Sequence, residues 1–501
     1  MRKPLLPLET ALAQLIASLE GTRLEFEWVS TMQADGRVLA QAVRSELQVP
    51  PQDNSSMDGY AVRLADVAAS NGILPVSQRI PAGTNPQALL AGTAARIFTG
   101  APIPFGADAV VMQEDCVELP PANPKDTELR IQVNQTPSIG QWIRRSGEDV
   151  TKGDVVLAAG QRLGPAELGM AASIGLAKLC VVRKPRVALF STGDELVMPG
   201  DLEPQAMPAG AIYNSNRFFL NSLLRRLGCD VTDFGIIPDQ REATVQALRL
   251  ASDSNDLVLT SGGVSVGEED HVKPAVQSLG SLDLWQIAIK PGKPFAHGRI
   301  GACHFIGLPG NPVSSFVTFL VLVRPFLQRL QGVHQSAPPV TLMRADFDWL
   351  RPDKRQEFLR VRRNAKGGLD LFPNQSSGVL SSVVWGDGLV DNPAGQAIRQ
   401  GDQVGFVAFN DLLGYGLVMR VHLKYFASIR EAMGCASETI ETSAHTLAQL
   451  RDSLAQREGL PAEALHRGKV VRMALNQNMA EESSVLVDGC EVAFFPPVTG
   501  G

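Results

Sequence analysis

The chain has 501 residues, 44% of them hydrophobic and 20% charged, with a formal net charge of −6. Such a length exceeds a single hydrophobic core and is expected to divide into roughly three to five domains. The acidic balance argues against a general nucleic-acid binder, and six cysteines without CxxC or histidine-paired spacing argue against a disulfide framework or zinc site.

Leu8, Leu12, Leu15, Ile16 and Leu19 repeat at helical spacing, which predicts an amphipathic helix over 7–19. Glu9 and Glu20 interrupt what would otherwise read as a signal peptide. No uninterrupted apolar run reaches the ~18 residues needed to span a membrane. With the reduced thiols, this makes a cytoplasmic protein the expectation. Residues 25–29 alternate as a strand, and 43–49 read as extended up to Pro50-Pro51. The stretch DNSSMDGYAV, from Asp53 to Val62, is more polar than its flanks. It reads either as a tight Asp-Gly turn with an Asx cap or as part of a site. Between 71 and 135 the chain is rich in Gly, Pro and β-branched residues, with strands predicted at 95–100, 109–114 and 129–133. A helix starting at Pro165 and running to about 174 follows.

From Arg186 short apolar strands alternate with helices. Strands are predicted at 187–190, 231–237, 257–259, 285–289 and 304–306. Helices are predicted at 217–227, 242–251, 272–279 and 313–330. This alternation predicts a mostly parallel sheet covered on both faces. Ligands of such sheets bind beyond the carboxyl ends of the strands. That rule gathers five segments on one rim: 191–195, Asp239, 261–270, 290–293 and 307–311. The run SGGVSVGEED is central to it. Glycines let backbone N–H groups approach an anion, and the acids beyond them suit a divalent cation bridging to phosphate. No HExxH, GxGxxG or Walker sequence is present. The rim is therefore expected to work on anions with Mg²⁺ by positioning and electrostatics.

In this order, DNSSMDGYAV, RIFTGAPIP, VVMQED, STGDELV, SGGVSVGEEDH, IKPGKPFAHG and GLPGNPVSS resemble the molybdopterin molybdenumtransferase family (MoeA and the gephyrin E domain) over roughly 1–413. The resemblance implies Mg²⁺-dependent insertion of molybdenum from molybdate into adenylyl-molybdopterin, with AMP release. It also implies a four-domain homodimer whose site lies between the α/β domain of one subunit and the N-terminal domains of the other. The domains would be 1–50 with 140–183, a β insertion at 51–139, an α/β domain at 184–332 and a small β barrel at 340–413. By position, Asp58 and Thr99 would face the site from the partner subunit. Glu195, Asp239 and Asp270 would be the rim acids and metal ligands. Lys290 and Lys293 would hold phosphate or molybdate oxygens, and Arg360 would face the site from the barrel. Ser191, Thr192, Gly193, Asp194, Ser261, Gly262, Gly263, Ser265, Gly267, Pro309, Gly310 and Asn311 would bind the pterin nucleotide, with 261–263 cradling its phosphate. Gln286 departs from relatives that carry a lysine there.

After 414–416 a strand at 419–426, helices at 428–433 and 447–457, and strands at 470–475 and 491–495 predict a β-grasp, ubiquitin-like fold. LKYFASIREAMG and DGCEVAFFPPVTGG resemble the MoaD family over 418–501. That resemblance implies a sulfur carrier whose terminal Gly501 becomes a thiocarboxylate. Its partners would be a ubiquitin-activating-type (MoeB-like) adenylyltransferase and the MoaE-like large subunit of molybdopterin synthase. A separate molybdopterin adenylyltransferase would supply the insertase substrate. Two other readings stand beside this one. A molybdopterin adenylyltransferase would share the α/β domain but has no use for 1–183 and 340–413. A non-catalytic, gephyrin-like scaffold with a carrier tail would not need the rim acids.

Overall fold

The computed structural model describes residues 5–120, 129–263, 271–334, 337–413, 419–442, 444, 446–455, 459–482, 484, 486 and 490–496. Its contacts divide the chain into two units, 25–183 and a second built from 1–24 with 184–501.

The 25–183 unit opens with β1 (Phe26–Ser30). Its six-stranded sheet uses β2 (Gly59–Val62), β3 (Ile73–Ile80), β4 (Ala94–Ile97), β5 (Ala109–Met112), β6 (Cys116–Leu119) and β7 (Arg130–Val133), in the order β5-β2-β4-β3-β7-β6. Tyr60, Val62, Leu74, Val111 and Ile131 fill one side, and Ile80, Ala95, Ile97 and Val110 the other. A separate core forms where helix α1 (Pro165–Ser173) and β8 (Lys178–Val182) meet Leu39 and Leu157, with β8 antiparallel to β1.

The other unit is built on an α/β sheet. Its elements are β9 (Arg186–Thr192), α2 (Asn216–Arg226), β10 (Asp230–Ile237), α3 (Arg241–Ser254), β11 (Leu257–Ser261), α4 (Val272–Leu279), β12 (Ser281–Gln286), β13 (Pro294–Ile300) and β14 (Cys303–Leu308). The order is β10-β9-β11-β14-β13-β12. The first four run parallel, and β13 is antiparallel to both β14 and β12. The mostly parallel sheet is as expected. β13 was not anticipated, because its burial does not alternate and a proline opens it. Because β12 and β13 are antiparallel, the segment joining them lies at the same rim as the carboxyl ends of the parallel strands.

The N-terminal helix Leu8–Ala17, grouped by sequence with 25–50, belongs to this second unit. Ala11, Leu15 and Leu19 join the core formed by Leu220, Leu259, Phe319 and Phe326. The segment Pro312–Leu330 is long and apolar enough by composition to cross a membrane, yet 89% of it is buried inside the fold. It is the central core helix. The predicted single helix is instead two α-helical segments, Pro312–Thr318 and Arg324–Leu330, joined by a π-helical stretch, Phe319–Val323.

Strands β15 (Thr341–Ala345), β16 (Gln356–Arg363), β17 (Gly368–Leu371), β18 (Gly388–Asn392) and β19 (Gln403–Ala408) close into the expected small barrel, β16 pairing with both β17 and β18. The C-terminal β-grasp domain has β20 (Met419–Tyr425), α5 (Ala427–Met433), β21 (Ser437–Thr442), α6 (Leu447–Ala455), β22 (Arg472–Leu475), β23 (Asn478–Ala480) and β24 (Glu491–Phe495). Its strand order is β21-β20-β24-β22-β23. Its core draws only on residues of this domain, among them Val421, Leu423, Leu450, Met473, Val492 and Phe494.

Candidate functional site

A cavity of about 570 Å³ opens at the carboxyl rim of the parallel strands. Its floor is the end of β9 and β11. Ser191 and Ser261 are buried there, with their hydroxyl oxygens 3.3 Å apart. Thr192, Gly193 and Glu195 line it after β9, Asp239 after β10, Gly262 and Gly263 after β11, and Pro309, Gly310 and Asn311 after β14. Four of the five predicted rim segments thus meet at one cavity. Asp194 sits beside it, its Oδ1 accepting the Asp239 N–H at 3.3 Å. Ser265, Gly267 and Asp270 lie outside the described residues, as does Gly501.

The glycine turn is a geometric necessity. Gly262 and Gly263 have φ of +91° and +65°, and a Cβ on Gly262 would lie 2.8 Å from the Thr192 carbonyl oxygen. The Gly262 N–H donates to the Leu308 carbonyl at 3.0 Å. That donor ties two strand ends together and is not available to an anion, which narrows the cradle predicted over 261–263.

The lysine loop is used differently. Lys290 Nζ lies 3.2 Å from Glu357 Oε1 and 3.5 Å from Asp353 Oδ2, both on the barrel side. Glu357 is buried and also accepts from the Trp349 indole N–H at 2.8 Å. Lys290 therefore neutralises a buried carboxylate, while Lys293 is exposed. Neither lines the cavity. Arg360, expected to face the site, is 1% exposed and donates within the barrel to Phe358 O (3.0 Å), Ser382 Oγ (3.2 Å) and Ser376 O (3.3 Å). Burial pulls its pKa down to about 10.

In the 25–183 unit, Asp58 and Thr99 meet as a pair. Asp58 Oδ1 accepts the Thr99 N–H at 2.7 Å and the Thr99 hydroxyl at 2.8 Å. These bonds, the backbone one foremost, hold the carboxyl below the usual aspartate value. The turn thus delivers the Asp58 carboxylate to the loop after β4. Arg79 and Arg96 flank the Phe98 ring beside it, at 4.5 and 4.8 Å from its centroid.

Sequence reasoning missed Asn214 and Asn216, which precede the helix predicted at 217–227. Asn214 Oδ1 does accept the Arg217 N–H at 3.2 Å. However, Leu196–Val197 pairs in parallel with Ile212–Tyr213 and folds the intervening loop back, so that 212–216 line the cavity. Asn216 Nδ2 clamps the Gly310 carbonyl at 2.7 Å. Thr192 Oγ1, Asn214 Nδ2 and Asn216 Oδ1 are buried without a partner among the described residues. Three unsatisfied polar atoms around one cavity are what a bound polar ligand or ordered water completes. The available signal was two asparagines where a cap needs one. Among the described residues no group of three His, Cys, Asp or Glu side chains could hold a metal ion. Glu195 and Asp239 alone fit the one or two carboxylates that Mg²⁺ takes beside phosphate oxygens.

Four family models match the chain. They are the MoeA N-terminal region (domains I and II) over 6–175, a probable molybdopterin binding domain over 188–329, the MoeA C-terminal region (domain IV) over 343–409 and the ThiS family over 423–501. A molybdopterin molybdenumtransferase of Haemophilus influenzae is 38% identical over 395 residues, covering 77% of this chain and 95% of that protein. One from a Nostoc species is 36% identical, covering 74% and 85%. The crystal structure of the molybdopterin biosynthesis MoeA protein of Pyrococcus horikoshii OT3 aligns with a TM-score of 0.69 at 29% identity, covering 81% of this chain and all of that one.

Proposed function

Because the chain belongs to the molybdopterin molybdenumtransferase family, a family of transferases of molybdenum cofactor biosynthesis, we propose that its rim cavity binds adenylyl-molybdopterin and molybdate and releases AMP as molybdenum is inserted. The observation that carries this reading is that Thr192, Asn214 and Asn216 atoms without a partner among the described residues line one cavity with Glu195 and Asp239. The asparagines hydrogen-bond the polar edges of the pterin. The Gly262–Gly263 turn, lacking side chains, admits the pyrophosphate. Glu195 and Asp239 hold Mg²⁺, which supplies charge neutralisation at the phosphoanhydride. Asp270 is proposed as a third acid. Asp58 and Thr99 reach the cavity of a second subunit in a homodimer. That dimer is supported by Phe26, Trp28 and Met32, which are 68%, 61% and 90% exposed around β1. Lys290 is proposed to act indirectly by holding the barrel against the rim, leaving Lys293, which is exposed, as the loop's other cation.

The test is AMP release from adenylyl-molybdopterin with molybdate and Mg²⁺, coupled to activation of an apo-molybdoenzyme. Asp239→Ala should lose both. Full activity in that variant, or formation of adenylyl-pterin from molybdopterin and ATP, would overturn the reading in favour of a scaffold or an adenylyltransferase. Trp28→Glu should sediment as a monomer. A persistent dimer would remove β1 from the interface.

The 423–501 match to the ThiS family supports a second role. Gly501 is proposed to be adenylated by a ubiquitin-activating-type enzyme and converted to a thiocarboxylate, which then serves the large subunit of molybdopterin synthase. Deleting Gly501 should abolish sulfur transfer and leave insertion intact.

A further inference from the structure

The sheet of the 25–183 unit carries a charge arrangement that its packing does not require. Arg79 on β3 stands directly opposite Arg96 on β4 in a parallel pairing, and Arg96 stands opposite Tyr60 on β2. Like charges directly opposite one another on neighbouring strands destabilise a sheet. Phe98 follows Arg96 by two residues and so lies on the same face. The Arg79 and Arg96 guanidinium carbons are 4.5 and 4.8 Å from the centroid of its ring, and that of Arg96 is also 5.0 Å from the Tyr60 centroid. Stacking on aromatic rings holds both guanidiniums in place without neutralising them. Arg96 donates to neutral acceptors, the Gly59 carbonyl at 3.0 Å and Gln113 Oε1. Among the described residues neither arginine makes an ion pair with a carboxylate. The nearby Asp58 carboxylate is engaged by the Thr99 N–H and hydroxyl. Arg79 and Thr99 are exposed, and Arg96 and Phe98 are half-buried. Two guanidinium forks fixed in this way on one open face match the oxygens of a tetrahedral dianion. The charge of that dianion would remove the repulsion between them.

We propose that Arg79 and Arg96 form an oxyanion subsite beside Asp58 and Thr99, and that it holds a tetrahedral dianion of the insertion reaction, molybdate or the phosphate of AMP. Its place in the reaction rests on the reading above, in which Asp58 and Thr99 reach the cavity of a second subunit. Its capacity to bind an anion does not. Arg96, tied to β2 through the Gly59 carbonyl, is the fixed half of the subsite. Arg79, exposed on the neighbouring strand, is the half that closes on the anion.

The experiment follows amide hydrogen exchange of the intact chain over 73–80 and 94–100 against molybdate, inorganic phosphate and AMP. The parent should gain protection in both segments as anion is added. Arg79→Ala should keep its anion-free protection within about twofold, which shows an intact sheet, and should need about tenfold more anion for the same gain. Arg79→Gln, which keeps side-chain length without charge, serves the same comparison if the alanine form loses the sheet. Equal anion dependence in parent and variant, or no gain in the parent, overturns the subsite. Steady-state insertion then identifies the anion. A KM for molybdate raised about tenfold with kcat within about twofold assigns molybdate. An inhibition constant for AMP raised as much, with the molybdate KM unchanged, assigns the phosphate. Neither change, in a variant that has lost the anion-dependent protection, overturns the subsite's place in the reaction. A parent that shows the protection but releases no AMP removes the insertion reading and leaves the anion site standing.

Discussion

Asp58 and Thr99 are 41 residues apart in sequence and meet in one two-donor contact. The Thr99 N–H and then its hydroxyl hold the Asp58 pKa below the ordinary aspartate value. A depressed folded pKa contributes stability that is present above the unfolded value and lost as pH falls through the folded one. Thr99→Ala removes the second donor and keeps the first. Asp58 should then titrate at higher pH than in the parent but still below the ordinary value, as read by carboxylate NMR. An unchanged titration would show that the hydroxyl does not contribute. Arg360 poses the opposite case, a charge held inside the barrel by three acceptors. Arg360→Ala should cost about 2–4 kcal/mol, seen as a lower urea midpoint for the barrel. A variant of parental stability that has lost insertion would instead return this arginine to the site.

At the scale of elements, the strand ends matter more than the strands. The turn after β11 is built on two positive-φ glycines, and a Cβ on Gly263 would collide with Val272 Cγ2 and lie 2.8 Å from Thr192 Oγ1. Gly263→Ala should therefore destabilise the α/β domain by about 2–4 kcal/mol. Gly301 has a similar φ of +60° but open space around it. Its alanine variant should cost only the backbone strain, about 1 kcal/mol. Equal losses in parallel denaturant titrations would mean that packing at the cavity floor plays no part. The core helix carries a comparable local compromise. Pro325 has no N–H and its ring crowds the carbonyl of Val321, and the π-helical stretch Phe319–Val323 accommodates this without ending the helix. Apolar spacing alone predicted one uninterrupted helix because Phe319–Val323, just before Arg324 and Pro325, is hydrophobic at every position, where periodicity carries little information.

At the scale of the molecule, the chain joins cores that do not share residues. Leu423 is fully buried in the C-terminal core. Leu423→Ala should cost about 2–5 kcal/mol there, lowering that domain's thermal transition while leaving the transition of the 184–413 core in place. A shift of both transitions together would show that the cores are coupled. Much of this organisation was legible in the sequence. Alternating strands and helices specified a mostly parallel sheet, strand ends pointed to the rim where a cavity opens, and four of the five rim segments do line that cavity or border it. Local patterns carry that information because period and turn chemistry are properties of neighbouring residues. What local patterns cannot carry is the direction of a side chain between two surfaces. Lys290 pairs with a carboxylate 67 residues away, and Arg360 points into the barrel. Asn214 and Asn216 become cavity walls only because a distant strand pair folds their loop back. The acids, glycines and lysines expected at the rim were written in the chain. Which of them face the cavity was decided by long-range pairing, because a charged side chain goes to the partner that offsets its desolvation, and that partner exists only once the fold has formed.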